Sequence, residues 1–153
     1  MISLRKRTIS NRMLNGKNIV ITGANRGIGK AIAESCILNY ANVWLCARNA
    51  DCDGIKELLS LAEEKSVYAE SVPLDLSSEE SIKEAFKQIA DSKRTIDGLV
   101  NNAGTVGATK LFAMTLMDEI RDTFEVNFFG PMFLTQKIAK KMIFLGMIFL
   151  KKI

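Results

Sequence analysis

The chain's 153 residues are enough for one domain with a real hydrophobic core, and 48% hydrophobic with 25% charged residues is the composition of a soluble globular protein. The formal charge of +4 is uneven: residues 1–33 hold seven Lys/Arg and no acid, leaving 14 basic against 17 acidic residues in the rest, and a mildly acidic body argues against a nucleic-acid surface. Three cysteines (Cys36, Cys46, Cys52) make no C-x-x-C pair and histidine is absent, which excludes zinc sites, histidine bases and a disulfide framework and points to a reducing, cytoplasmic compartment with no metal.

Residues 1–15 carry Arg5, Lys6, Arg7 and Arg12 among Ser and Thr but lack the apolar centre of a secretory signal. They read as a flexible basic leader, a simpler reading than an organelle transit peptide. No stretch is long enough to span a bilayer, and neither a membrane nor a nucleic acid is expected as a partner. The β-rich run Asn18-Ile19-Val20-Ile21 then leads into Thr22-Gly23-Ala24-Asn25-Arg26-Gly27-Ile28-Gly29, which opens an apolar-periodic stretch from Ile28 to Tyr40. A strand, a glycine-rich turn and a helix in that order can hold a phosphate. Gly23 can take a backbone conformation closed to residues with a Cβ, so the chain turns sharply off the strand. Gly27 and Gly29 allow a ligand and the packed strand to approach the backbone. The free N–H groups of the first helical turn, with the helix dipole behind them, favour a pyrophosphate.

Asn42-Val43-Trp44-Leu45-Cys46-Ala47 is an almost wholly apolar run of strand length, ended by Arg48-Asn49. A helix follows over 52–65, with Ile55, Leu58, Leu59 and Ala62 on one face, and a third strand runs from Val67 to Leu74 into Asp75-Leu76. Ser77 to Asp91 is the clearest helix: Ile82, Ala85, Phe86 and Ile89 form its stripe, and Ser77 with Glu80 offers a capping box. Ile96–Val100 is a fourth strand, running into Asn101-Asn102-Ala103-Gly104. After a loop with Gly107, a long helical pattern extends from Thr115 to Leu145, interrupted by Gly130-Pro131. Strands alternating with helices of this length predict an α/β fold, a doubly wound parallel sheet of order 3-2-1-4 over residues 16–145, with a crevice between strands 1 and 4. Residues 146–153 are an atypical tail. Either Gly146 closes the long helix and Met147–Leu150 opens a fifth strand, or the repeat of Met-Ile-Phe-Leu around the glycine is the scar of a shifted frame or truncated gene.

With these motifs placed, the chain resembles the short-chain dehydrogenase/reductase family, and within it the 3-oxoacyl-(acyl-carrier-protein) reductase type. The likeness runs from about Leu14 to Met142. It rests on the glycine turn, Asp75-Leu76, Asn101-Asn102-Ala103-Gly104 and Asn127 in Glu125-Val126-Asn127-Phe128. The resemblance implies a Rossmann-type fold, incomplete at its C-terminal end, and hydride transfer between NADPH and a carbonyl or acyl thioester. It places Gly23, Asn25, Arg26, Gly27, Ile28 and Gly29 at the pyrophosphate and ribose. Asp75 would take the adenine amino group with Leu76 beside it, and Asn102, Ala103 and Gly104 would border the adenosine. Asn127 is the catalytic position retained, its backbone holding a water of a proton relay.

A carboxylate about twenty residues past the glycine turn would bond a ribose 2′-OH and repel a 2′-phosphate. That place is Ala47, followed by Arg48, with Arg26 inside the turn. Two guanidiniums and no carboxylate favour NADP over NAD. The family's chemistry also needs a serine after the fifth strand and a Tyr-x-x-x-Lys, yet the last serine here is Ser92 and the last tyrosine Tyr68. The 153 residues alone are therefore expected to hold the cofactor-binding part of a reductase without its turnover. A nucleotide-binding or interaction module without chemistry, or a non-functional fragment, is the alternative. The family implies a homo-oligomer, and for this chain the exposed edge at Leu99-Val100 and the uncharged tail imply self-association.

Overall fold

A computed structural model describes residues 12–107 and 110–150. Four parallel strands, β1 (Asn18–Thr22), β2 (Asn42–Ala47), β3 (Ala69–Pro73) and β4 (Gly98–Val100), form one sheet in the order β3-β2-β1-β4. Between them run α1 (Gly27–Leu38), α2 (Asp53–Glu64) and α3 (Glu79–Asp91), and α4 (Met117–Phe124) and α5 (Gly130–Leu150) follow. The strand order and the alternation of elements are those expected from the sequence, with β3 and β4 shorter than their apolar runs.

Side chains alternate faces along a strand, and here both faces are covered. Val20, Trp44, Cys46 and Val72 point to α3 and α5, where they meet Ile82, Ala85, Ile89, Leu134 and Ile138. Their neighbours Ile21, Val43, Leu45 and Ala47 point the other way, to Ala33 and Ile37 of α1 and to Ile55, Leu58 and Ala62 of α2. This is why β1 and β2 read as continuous apolar runs rather than as alternating ones.

The N-terminal edge of the sheet is held by an asparagine ladder. Asn18 Nδ2 donates to Thr95 Oγ1 (3.1 Å), Asn42 Nδ2 donates to Asn18 Oδ1 (2.9 Å), and the Tyr68 N–H donates to Asn42 Oδ1 (2.9 Å). Asp97 closes it: although burial pushes its carboxyl up, the Asn18 N–H and the Lys17 ammonium hold it below the usual carboxylate range.

Four local expectations are corrected. Helix α3 is capped by Ser78, whose Oγ accepts from the Ser81 N–H at 3.2 Å, and not by Ser77 with Glu80. Asp75 instead binds Ser77. The leader expected over 1–15 is joined to the domain from Arg12: the Leu14 and Gly16 N–H groups donate to the carbonyls of Asn39 and Tyr40, and the Arg12 guanidinium lies 4.7 Å over the Tyr40 ring. Residues 1–11 lie outside the described residues, as do 151–153.

The long C-terminal pattern is neither broken at Gly130-Pro131 nor closed at Gly146. A 3₁₀ turn (Phe112–Met114) precedes α4, a π turn (Glu125–Phe129) joins α4 to α5, and α5 runs on to Leu150, so Met147–Leu150 is helix and not strand. The π turn has a physical cause. Pro131 has no N–H for the carbonyl four residues back, and the widened turn sits directly ahead of it, with the Gly130 N–H donating to the Glu125 carbonyl. A Cβ on buried Gly130 would lie 2.0 Å from the Leu76 carbonyl oxygen, so only glycine lets α5 pass this close to the chain leaving β3.

Candidate functional site

Because all four strands are parallel, the segments that follow them gather along one edge of the sheet: the glycine turn after β1, Arg48 after β2, Asp75-Leu76 after β3 and Asn101–Gly107 after β4. Ligands of open α/β sheets bind in the crevice where the strand order reverses, here between β1 and β4.

The glycine turn is set by close backbone approach. Gly23 has φ +69°, and a Cβ on it would press on the Asn102 amide at 2.9 Å and on the Ala103 backbone at 3.0 Å. A Cβ on Gly29 would fall 2.1 Å from the Gly23 carbonyl oxygen, so the first turn of α1 packs directly on the strand exit. Gly27, at φ +55°, is different: a Cβ there would meet nothing within 4 Å, so its bare backbone faces open space. Gly54, which sequence reasoning passed over, supports the loop from below, since a Cβ on it would reach the Asn25 carbonyl oxygen at 2.1 Å. Ile28, Arg26 and Arg48 are exposed around this turn.

Thr22 was also missed, although it joins the two sides of the crevice. Its side chain is fully buried; Oγ1 donates to the Val100 carbonyl (3.3 Å) and accepts from the Asn102 and Ala103 N–H groups (3.0 Å each). Asn102 returns the contact, Nδ2 donating to the Thr22 carbonyl at 3.0 Å and to that of Gly23 at 3.4 Å. The signal available in sequence was a hydroxyl at the end of an otherwise apolar buried strand, where it must find partners.

Asn127 is brought to the same loop from the π turn. Its Oδ1 accepts from the Thr105 N–H at 2.8 Å and its Nδ2 donates to the Thr105 carbonyl at 2.6 Å, and a Cβ on Gly104 would touch Oδ1 at 3.1 Å. Asn101 reaches the other way, Nδ2 to Thr135 Oγ1 of α5 at 3.0 Å. Asp75 takes both Ser77 bonds on Oδ1, from the hydroxyl at 2.7 Å and the N–H at 2.9 Å. Those two bonds, with the Arg48 guanidinium adding to them, hold its carboxyl below the usual range. Leu76 is buried under α5. Two of the cysteines are poor nucleophiles: burial pushes the Cys46 thiol up to about 12, with Glu70 adding to it, and raises Cys36 as well.

A parallel sheet with helices on both faces, a glycine turn entering a helix, and a crevice between β1 and β4 define a doubly wound dinucleotide-type domain. The family model described as short chain dehydrogenase matches residues 17–148. The chain is 36% identical over 131 residues to the 3-oxoacyl-(acyl-carrier-protein) reductase FabG of Aquifex aeolicus, covering 85% of this chain and 52% of that protein. It is 37% identical over 129 residues to the L-rhamnose 1-dehydrogenase (NADP(+)) of Thermoplasma acidophilum, covering 84% and 50%. Among solved structures it resembles L-sorbose reductase from Gluconobacter frateurii complexed with NADPH and L-sorbose (TM-score 0.76, 29% identity, 86% of this chain and 49% of that one). It also resembles a metagenomic short-chain oxidoreductase in complex with NADP (TM-score 0.77, 31% identity, 85% and 58%). The chain belongs to the short-chain dehydrogenase family, and it spans about half the length of the curated relatives it matches.

The Thr22 hydroxyl is testable on its own. Thr22→Val keeps the shape but leaves the Asn102 and Ala103 N–H groups without an acceptor. An unpaired buried group costs about 1–3 kcal/mol, so denaturant unfolding is expected to show a loss of about 2–4 kcal/mol. An unchanged midpoint would show that these bonds do not hold the crevice.

Proposed function

We propose that this chain binds NADPH as the cofactor-holding part of a carbonyl reductase acting on a 3-oxoacyl-like thioester. The observation that carries the reading is the pair of exposed guanidiniums, Arg26 in the glycine turn and Arg48 after β2, with buried Ala47 in the place of a ribose-binding carboxylate. A 2′-phosphate suits two arginines, and no acid at that place repels it. Among the similar proteins, the L-rhamnose 1-dehydrogenase is NADP-dependent by name, the metagenomic oxidoreductase was solved with NADP, and the L-sorbose reductase with NADPH.

The bound dinucleotide would supply the hydride, and this chain's residues would hold it. The N–H groups of the first turn of α1 would face the pyrophosphate, and the bare backbone at Gly27 leaves room for it. Asp75 has Oδ2 left for an adenine amino group, with the Leu76 backbone beside it. Asn102, locked to Thr22 and Gly23, holds the backbone of Ala103 and Gly104 where it would border the adenosine. Asn127 spends its side chain on Thr105, so its part in a proton relay falls to its carbonyl, whose α-helical donor position is taken by Pro131. The preference for NADP, the substrate class and the cytoplasmic setting are parts of this one reading. A binding module without turnover is the second reading for these 153 residues, which hold no serine after Ser92 and no tyrosine after Tyr68.

NADPH is expected to bind more tightly than NADH, since each charge-assisted contact is worth on the order of 1.5–3 kcal/mol before exposure reduces it. Arg48→Asp should remove most of the difference. Fluorescence titration of both cofactors decides it, and equal affinities in the parent chain would overturn the assignment.

The 153-residue chain by itself should oxidise NADPH no faster with an acetoacetyl thioester than without. A missing general acid forfeits roughly 10²–10⁴-fold. Robust turnover by the pure protein would show that a group other than a Tyr-x-x-x-Lys tyrosine supplies the proton.

Self-association completes the proposal. β4 lies at the sheet edge, and Phe124, Phe128, Phe129 and Met132 stand 48–56% exposed from the end of α4 through the π turn to the start of α5. Sedimentation velocity should show a species larger than the monomer that shrinks with Phe128→Asp; a monomer in both would refute it.

A further inference from the structure

We propose that Ser77 is a positioning residue that makes the site select adenine over a 6-oxo purine, by pinning one oxygen of Asp75 and leaving the other to the base. The inference rests on the NADPH reading above and deepens it. The backbone around Asp75 is held from three directions. The Leu74 N–H donates to the Ala47 carbonyl of β2 at 3.0 Å. The Asp75 N–H donates to Ser81 Oγ of α3 at 2.9 Å, and the Asp75 carbonyl accepts from the Ser78 N–H at 3.2 Å. On the far side α5 closes on the next peptide, where a Cβ on Gly130 would lie 2.0 Å from the Leu76 carbonyl oxygen. With the backbone fixed, only the side-chain torsions of Asp75 remain to place its carboxyl group.

Ser77 settles those torsions. Its hydroxyl donates to Oδ1 at 2.7 Å and its N–H to the same oxygen at 2.9 Å. Both bonds fall on one side of the carboxylate, and among the described residues Oδ2 has no hydrogen-bond or ion-pair partner. The two bonds, the hydroxyl's first, hold the carboxyl below its usual range, and the Arg48 guanidinium adds to them against the opposing effect of burial. The Ser77 hydroxyl is not needed elsewhere. Its residue is exposed, and α3 takes its cap from Ser78, whose Oγ accepts from the Ser81 N–H.

The chemistry of the base then does the selecting. An ionised carboxylate only accepts hydrogen bonds. Adenine offers it an amino group, which donates. Hypoxanthine has a carbonyl oxygen in that place, an acceptor facing an acceptor. A carboxylate free to rotate relieves such a mismatch by turning away or by taking a water between. One held by its other oxygen does not, so the wrong base leaves a polar group without its partner, and discrimination of this kind is strong. Ser77 contributes by holding Asp75 in place before the dinucleotide arrives.

The test uses the full chain, titrated with NADPH and with its hypoxanthine analogue, as the parent, Ser77→Ala and Ser77→Thr. The parent is expected to bind NADPH about tenfold or more tightly than the analogue, the scale of one hydrogen bond to a charged group. Ser77→Ala should lower that ratio by about threefold or more, and Ser77→Thr, which keeps the hydroxyl, should preserve it. Near-UV circular dichroism of Trp44, buried between the sheet and α3, checks that each variant is folded. A second measurement needs no cofactor: carbon NMR titration of the Asp75 carboxyl should show it rising toward its usual range in Ser77→Ala and staying low in Ser77→Thr. An Asp75 titration that Ser77→Ala leaves unmoved overturns the proposal. So does a parent that prefers NADPH to the analogue by a ratio that Ser77→Ala leaves unchanged, the result a merely structural serine would give; the NADPH reading then stands. A folded parent that binds neither dinucleotide removes that reading and this inference together.

Discussion

The crevice depends on one hydroxyl placed where the sheet ends. Thr22 is the last residue of β1, and its Oγ1 has three backbone partners, all on β4 or the chain leaving it. β4 is only three residues long and sits at the sheet edge, so its ladder to β1 supplies few bonds. The hydroxyl continues that ladder past the point where strand geometry stops. It thereby fixes how far the Asn102–Gly104 segment stands from the glycine turn, and with it the width of any site between them. Removing water from the hydroxyl and its three backbone partners is costly only if one of them goes unpaired, and here the hydroxyl satisfies all three.

On either side of that bond the site is shaped by the absence of side chains. Gly29 packs on the Gly23 carbonyl, Gly54 on that of Asn25 and Gly130 on that of Leu76, each at a distance where a Cβ would collide with backbone. These three contacts place α1 on β1, α2 under the turn and α5 beside the exit of β3. Gly27, by contrast, has open space on its side-chain face. The contrast separates two uses of glycine in one motif: packing at Gly29, access at Gly27.

Most of the fold was legible in the sequence because its signals are local and repeated. The apolar runs at β1 and β2, the stripe of α3 and the alternation of strand and helix all follow from burial on two faces. What was illegible depends on contacts far apart in the chain. Thr22 with Val100, Gly54 with Asn25 and Gly130 with Leu76 are pairs that no window of residues displays. The cap of α3 was misassigned by one residue because Ser77 and Ser78 are equivalent in sequence; Asp75 decides between them by engaging Ser77 and leaving Ser78 free to cap. Gly130-Pro131 read as a break because proline removes a donor. A π turn directly ahead of the proline keeps the helix continuous with a bond spacing of five residues in place of four, and nothing in composition distinguishes such a shift from a helix end.

Asn127 shows how a motif position divides between structure and chemistry. Both polar atoms of its side chain are committed to the backbone of Thr105, which ties the α4–α5 junction to the loop after β4. That clamp is a sufficient reason for an amide at this position, because only Asn or Gln offers a donor and an acceptor side by side. Gly104 belongs to the same arrangement, its missing Cβ leaving room for Oδ1. The carbonyl of Asn127 is a separate matter. Four residues on stands Pro131, so the ordinary α-helical donor is lacking, and that oxygen remains oriented by a rigid turn. The side chain thus holds the wall, while the carbonyl lacks its α-helical partner. Of the two, the side-chain clamp is the one set by named contacts, Oδ1 and Nδ2 each on the Thr105 backbone.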